Sequence, residues 1–248
     1  MEKLVYEIVD FIKRYIADAR SKGVIVGMSG GKDSFVVAKL CALAVGSENV
    51  FGIIMPNGDM SDLDVAVKEC ELINIKYKII DIKKLCDATV KCVSDAIDGS
   101  ALSETTTINI PPRVRMSVLY GAGATLNYLV ANTSNLSETM IGYSTKWGDA
   151  VGDFAPVADL TKTEVCEMGL FLGLPKELVL KAPDDGLSGK TDEEKIGFTY
   201  TELDDFIRNG KKSENFDKIQ RMHNISEHKR NPVPKYDVGK KNYFINKK

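Results

Sequence analysis

The residues best able to do chemistry fall in two short stretches. The first is Gly27-Met28-Ser29-Gly30-Gly31-Lys32-Asp33-Ser34. Gly30 and Gly31 lack a Cβ, so the backbone there can adopt positive φ and present successive N–H groups. Those groups, together with the start of a following helix, form an anion site. Ser29 and Ser34 add hydroxyl donors, and Lys32 adds a positive charge. This is not a Walker A loop, because Asp33 follows Gly31-Lys32 where Ser or Thr would be needed, and GxGxxG is also absent. An acid inside an anion cradle is repulsive unless a cation bridges it, so Asp33 points to a hard cation such as Mg²⁺. The second stretch is Asn132 to Asp153, NTSNLSETMIGYSTKWGDAVGD. Thr133, Ser134, Asn135, Ser137 and Glu138 cluster at its start, and Glu138 offers a second carboxylate for a metal bound by Asp33. Lys146, Asp149 and Asp153 follow in a Gly-punctuated loop. The bland alternatives are a Gly-rich turn and a polar surface loop; the density of short hydrogen-bonding residues favours a site.

The elements that must position these residues read as alternating strands and helices. Residues 2–20 place Leu4, Val5, Ile8, Phe11, Ile12, Tyr15 and Ile16 on one helical face,. Val24 to Met28 is an apolar strand leading into the Gly loop, and a helix starts near Asp33. Residues 50–55 form a buried strand, Ser61 to Ile73 a helix, 76–82 a third strand, and Lys84 to Ile97 another helix,. Repeated strand–helix units imply a parallel sheet with right-handed crossovers, and ligands then sit at the carboxyl ends of the strands. Residues 99–112 are polar and unperiodic and end in Pro111-Pro112, as a loop or lid would. Residues 113–131 read as a helix running into a short strand. Arg113 and Arg115 then lie in its first turn, where the helix dipole disfavours cations and an anionic partner is expected. Small residues Gly121 to Ala124 suit a close helix or subunit contact, with intramolecular packing the commoner cause. In 159–173, Thr161 or Asp159 caps a helix with Glu164 three residues after Thr161, and Lys162 in its first turn again calls for an anionic neighbour. Residues 181–192 are a polar, Gly-rich loop. Helices follow over Asp192 to Arg208 and Phe216 to Glu227, then a basic tail to Lys248.

Composition bounds the rest. The chain of 248 residues is 44% hydrophobic and 27% charged with a net charge of −2, which fits one α/β domain over residues 1–248 and gives no general argument for nucleic-acid binding,. No apolar run approaches the roughly 20 residues of a membrane span. Residues 1–23 mix acids and bases and do not form a targeting segment. Cys41, Cys70, Cys86, Cys92 and Cys166 contain no CxxC pair and read as reduced thiols of a cytoplasmic protein,. His223 and His228, five residues apart, do not share a helix face, so a metal site on that pair is not expected.

SGGKDS after a strand resembles the pyrophosphate loop of the ATP pyrophosphatases, which transfer AMP to a carboxylate or carbonyl oxygen. Within that superfamily the order of motifs resembles ammonia-dependent NAD synthetase over almost the whole chain. The matching pieces are residues 27–34, Arg113-x-Arg115-Met116, Asn132-Thr133-Ser134-Asn135-x-Ser137-Glu138, Gly142 to Asp149, Asp153-Phe154-Ala155-Pro156, Leu160-Thr161-Lys162-Thr163, Asp192-Glu193 with Gly197 and Tyr200, and His228-Lys229-Arg230. The resemblance implies an adenine nucleotide alpha-hydrolase-like fold, a Rossmann-like parallel sheet with helices on both faces. It also implies a ligase reaction in which deamido-NAD is adenylated by ATP and ammonia displaces AMP to give NAD. It assigns ATP to residues 27–34 (Gly27, Met28, Ser29, Gly30, Gly31, Lys32, Asp33 and Ser34), with Thr133, Lys162 and Asp184. It assigns deamido-NAD to Arg113, Lys146, Asp153, His228 and Lys229, Mg²⁺ to Asp33 and Glu138, and the handling of ammonium to Asp149 or Asp153. It further implies a homodimer with the deamido-NAD site at the interface. The length leaves no room for a glutaminase domain, so free ammonia, or ammonia from a separate protein, is the expected nitrogen source.

The chain departs from the family pattern at Lys32, a position often uncharged, at Pro111-Pro112, at Trp147 in place of Tyr, and at Asp184, where Ser or Thr is expected. Two rivals are weighed against this reading. A tRNA-thiolating ATP pyrophosphatase would want catalytic or cluster cysteines and a basic RNA face. A nucleotide-binding sensor without turnover would not need the Asp33–Glu138 pair.

Overall fold

The computed structural model describes residues 1–181 and 191–237. Its centre is a four-stranded, all-parallel sheet in the order β3-β2-β1-β4, built from β1 (Gly23–Met28), β2 (Val50–Ile54), β3 (Lys76–Ile79) and β4 (Tyr128–Val130). Parallel strands need crossover connections. Here these are α2 (Lys32–Val45), α3 (Leu63–Leu72), and the pair α4 (Lys83–Ala96) and α5 (Glu104–Leu126). The chain winds outward from β1 to β2 and β3, then returns to add β4 on the other side of β1. That reversal opens a crevice between the carboxyl ends of β1 and β4, the place where open α/β sheets bind ligands.

Helices cover both faces, as expected. Alternation along β1 sends Val24, Val26 and Met28 to one face, where they pack with Ile8, Ile12 and Ile16 of α1 (Glu2–Asp18) and with Phe35, Val36 and Leu40 of α2,. Ile25 and Ile53 point the other way, against Ile82, Cys86 and Ile110 of the α4–α5 layer. Each of the largest fully buried side chains, such as Phe35, Leu40 and Ile54, contributes about 1.5–3 kcal/mol by leaving water. Beyond β4 the chain forms α6 (Leu136–Ile141), α7 (Lys162–Phe171), α8 (Lys176–Val179), α9 (Asp192–Ile196), α10 (Tyr200–Asn209), α11 (Phe216–Ile225) and α12 (Glu227–Arg230). A separate apolar cluster of Ile141, Ile196, Phe198, Tyr200, Leu203 and Ile219 holds α6, α9, α10 and α11 together.

Three expectations need correction. The third strand stops at Ile79, although the Ile80 and Ile82 N–H groups still bond to Ile54 and Pro56 carbonyls. The helix expected over Asp192 to Arg208 is two helices, broken where Gly197 (φ 74°) ends α9 in the left-handed conformation,. The polar stretch 99–112 is not a loop throughout. Ser103 caps α5 by accepting the Thr106 N–H, and the helix runs on through Pro111 and Pro112,. Each proline removes an N–H from the ladder, but the segment has other ties: Ile110 is buried, and Asn109 Oδ1 accepts the Thr145 hydroxyl at 2.8 Å. Arg113 and Arg115 therefore lie mid-helix, and the dipole argument for an anionic partner there does not hold. Among the small residues of α5, Gly123 is required by intramolecular packing, since a Cβ would sit 2.9 Å from the Tyr128 carbonyl oxygen, while Gly121 faces open space.

Candidate active site

The Gly loop forms the strand-to-helix turn from β1 into α2. Gly30 has φ 75°, and a Cβ there would sit 2.8 Å from the Asp62 carbonyl oxygen, so the turn needs glycine on two counts,. The serines brace it from within. Ser34 Oγ donates to the Gly31 carbonyl (2.9 Å) and receives the Ser29 N–H (3.3 Å), and the Gly31 N–H donates to Ser29 Oγ (3.2 Å). Lys32 and Ser34 are buried in the first turn of α2.

The carboxylates expected to bind metal do converge, and a lysine sits between them. Lys162 Nζ is 2.7 Å from Asp33 Oδ2 and 2.8 Å from Glu138 Oε1. Asn135 Nδ2 donates to the other Asp33 oxygen at 3.0 Å. Asn135 also caps α6, accepting the Glu138 N–H, while the Glu138 carboxylate accepts the Asn135 N–H in a capping box. The Tyr200 ring lies 5.1 Å from Lys162 Nζ. Burial disfavours the Lys162 ammonium, but Asp33 and Glu138 outweigh it and hold the group well above the usual lysine value. Burial pushes Glu138 upward, the Lys162 ammonium pulls it down, and Asp33 pushes it up again, for a net rise,. The donor set suits magnesium: two hard carboxylates converge on one point, and Mg²⁺ is characteristically held by one or two carboxylates together with waters and substrate phosphates. Among the described residues no three His, Cys, Asp or Glu gather, so the site is not an all-protein cage.

A buried frame fixes Lys162. Thr161 caps α7 in a second capping box with Glu164. The Lys162 N–H donates to Ser137 Oγ (2.9 Å), whose hydroxyl bonds to Asp204. The other Asp204 oxygen accepts the Thr163 N–H at 2.8 Å. α6, α7 and α10 are thus tied at one point, and the stem of Lys162 leaves that point toward Asp33.

A cavity of about 400 Å³ is lined among others by Asn132, Ser134, Ser144, Asp153, Lys229 and Arg230. Asp153 Oδ2 accepts the Val130 N–H at 2.8 Å, and Tyr120 packs against its carboxylate. The Asp149 carboxylate accepts the Thr145 N–H (2.8 Å) and is raised by burial against that bond. Lys229 Nζ donates to the Gly142 and Ser144 carbonyls, and Lys146 Nζ to the His228 carbonyl at 2.6 Å. Arg113 Nε reaches the Lys146 carbonyl at 3.4 Å. Of the residues expected to contact deamido-NAD, Arg113, Lys146 and His228 are thus linked in turn through the Lys146 and His228 carbonyls, and Lys229 follows His228 in the chain and lines the cavity. Thr133 is half-buried in the loop after β4. Asp184, most of the 181–192 loop and the end of the basic tail lie outside the described residues.

Sequence reasoning missed Asp204 and the direct contacts of Asn135 and Tyr200 around Asp33 and Lys162. It also missed the tie from Arg115 Nε to the Met55 carbonyl (3.0 Å), which joins α5 to the end of β2. Asp204 carries no local signal, because its partners lie 67 and 41 residues away. The His223 ring bonds the Met140 carbonyl, a structural role.

Fold and site together define an α/β nucleotide-handling protein whose phosphate-type loop stands at the crevice between β1 and β4. The NAD synthase family model matches residues 4–243, and the chain belongs to that family. It is 40% identical over 242 residues to the NH(3)-dependent NAD(+) synthetase of Archaeoglobus fulgidus, covering 94% of this chain and 96% of that one. Among solved structures it is similar to an NMN synthetase from Francisella tularensis (31% identity, TM-score 0.87, 96% and 98% covered). It is also similar to the NH3-dependent NAD synthetase of Campylobacter jejuni in complex with the nitrate ion (29%, 0.79, 95% and 99%).

Proposed function

We propose that this chain is a ligase that amidates deamido-NAD with ammonia at the expense of ATP, giving NAD, AMP and pyrophosphate through a deamido-NAD adenylate. The observation that carries the reading is the convergence of Asp33, Glu138 and Lys162 beside the SGGKDS loop in a chain of the NAD synthase family. A carboxylate is a poor electrophile with a poor leaving group. Adenylation corrects both: a nicotinate carboxylate oxygen attacks the α-phosphorus and pyrophosphate leaves, then ammonia adds at the acyl carbon and AMP leaves. The protein's task is positioning and charge neutralisation.

In this reading the N–H groups and hydroxyls of residues 27–34 hold the ATP phosphates, with Lys162, Thr133 and Asp184 as further contacts. Asp33 and Glu138 hold Mg²⁺, which when bound supplies positive charge to the phosphates. Arg113, Lys146, His228 and Lys229 orient deamido-NAD, and Asp153, in the cavity wall, contacts it. Asp153 or Asp149 receives the proton that ammonium must lose before its nitrogen can attack. The reading includes a single domain and a cytoplasmic location, in keeping with five free thiols. It also includes a homodimer, with two exposed apolar faces available to it: the groove of Leu85, Ala88, Cys92, Val114 and Val118 between α4 and α5, and the Tyr6, Phe11 and Tyr15 side of α1. No helix among the described residues is long and apolar enough to cross a membrane.

The likeness to an NMN synthetase supports a second reading, in which NMN is the product. The test is pyrophosphate release from ATP and Mg²⁺ with each acceptor. Release that requires deamido-NAD supports the first reading, and release with nicotinate mononucleotide instead supports the second. Release with neither, despite ATP binding, supports a sensor.

A further inference from the structure

The Lys162 ammonium stands where the proposed metal would stand. Its distances of 2.7 and 2.8 Å to Asp33 and Glu138 leave no room for a second cation bound to both carboxylates, since Mg²⁺ sits about 2.0–2.1 Å from its oxygens,. The lysine side chain is only 7% exposed. Beyond the two carboxylates, its Nζ faces the Tyr200 ring at 5.1 Å. A bare dication that displaced it would cost the buried ammonium both of its carboxylate partners, which is unfavourable,. A triphosphate removes that cost. Asp33 lies in the first turn of α2, where the phosphate loop ends, so the flexible lysine stem has only a short swing from the carboxylates to a phosphate bound there,.

We infer that Lys162 is an intramolecular counter-ion that closes the Asp33–Glu138 metal site until a nucleotide arrives, so that metal and ATP bind with strong positive coupling and free metal is rejected. The inference rests on the reading of Asp33 and Glu138 as the magnesium ligands. The frame supports it: Ser137 and Asp204 clamp the backbone at Lys162, leaving only the side chain to move. By linkage, whatever factor the nucleotide adds to metal affinity, the metal adds to nucleotide affinity.

The test is Mn²⁺ binding by electron paramagnetic resonance, with and without a non-hydrolysable ATP analogue. The proteins compared are the wild type, Lys162→Met, Lys162→Gln and Glu138→Gln. Without nucleotide, Lys162→Met is expected to bind Mn²⁺ about tenfold or more tighter than the wild type, because a competing unit charge is gone. Its melting temperature should rise with Mn²⁺ alone, whereas that of the wild type should not. The nucleotide's enhancement of metal affinity should shrink in the same variant. Lys162→Gln keeps amide donors for the two carboxylates, and it covers the case in which Lys162→Met folds poorly. A variant that folds only with Mn²⁺ supplied gives the expected answer directly. If Glu138→Gln weakens Mn²⁺ in the presence of the analogue, but neither Lys162 variant binds it more tightly in its absence, the counter-ion role is overturned and the metal reading stands. If Glu138→Gln changes nothing, both fall.

Discussion

Lys162 and Asp33 are separated by 129 residues in the chain, yet Lys162 Nζ lies 2.7 Å from Asp33 Oδ2. That one contact joins the start of α7 to the loop leaving β1, across the crevice where the strand order reverses. It brings the acid of the SGGKDS loop, the acid of α6 and the cation of α7 to one point.

Removing either carboxylate should therefore cost chemistry more than folding. Asp33→Asn and Glu138→Gln are each expected to lower kcat/KM for ATP by roughly 10²–10³. Lys162 keeps one carboxylate in each variant, so the stability loss should stay below the roughly 3–5 kcal/mol of a fully broken buried pair. Steady-state pyrophosphate release and a urea melt check both parts.

Gly30→Ala places a side chain at φ 75° and 2.8 Å from the Asp62 carbonyl oxygen. A loss of about 1–3 kcal/mol is expected from the strained backbone alone. The phosphate loop must shift to relieve the clash, so ATP affinity should fall as well. Gly31→Ala meets only Ser29 Oγ at 3.1 Å and should be milder in both measurements.

Glu69 gives a pH prediction away from the site. It is fully buried in α3, neither carboxylate oxygen has a hydrogen-bond partner among the described residues, and burial pushes its carboxyl up to about 8. Lys181 pulls it down and Asp62 pushes it up, and those two form an ion pair with each other nearby. A carboxyl raised on folding binds more protons in the native state. Its contribution is thus complete below the ordinary carboxylate range, falls as pH rises, and is lost above about pH 8,. Between pH 6 and 8 the slope is about 1.4 kcal/mol per pH unit at most. Glu69→Gln should flatten that slope in urea melts taken across the range, and an unchanged slope would remove Glu69 as its source.

The first two strands were legible because a fully buried parallel strand is a short apolar run, and 24–28 and 50–55 are such runs,. The Gly loop was legible because its chemistry is local in sequence. Lys162 was legible in part: a cation in a helix's first turn asked for an anion, and Asp33 and Glu138 supply it. The start of α5 was not, because Thr105, Thr106 and Thr107 followed by Pro111-Pro112 oppose a helix locally, and tertiary ties such as Asn109 to Thr145 override that propensity,. Asp204 could not be read at all, and Tyr200 only as part of a family motif, since their contacts come from long-range packing of α10 on α6 and α7.

That packing makes its own prediction. The Ser137–Asp204 bond is buried, and Asp204 also receives the Thr163 N–H. Asp204→Ala should cost about 2–4 kcal/mol by leaving those donors unpaired. It should raise KM for ATP through the freed Lys162 backbone, whereas Asp204→Asn, keeping an acceptor oxygen, should recover much of both.

The most direct test of the whole account is product analysis by mass spectrometry. Purified protein is given ATP, Mg²⁺ and deamido-NAD, with ¹⁵N-labelled ammonium in one reaction and amide-labelled glutamine in the other. The account predicts ¹⁵N-labelled NAD, with AMP and pyrophosphate in equal amounts, from ammonium and essentially none from glutamine. ADP and phosphate in place of AMP and pyrophosphate, or no labelled NAD while ATP still binds, would contradict it.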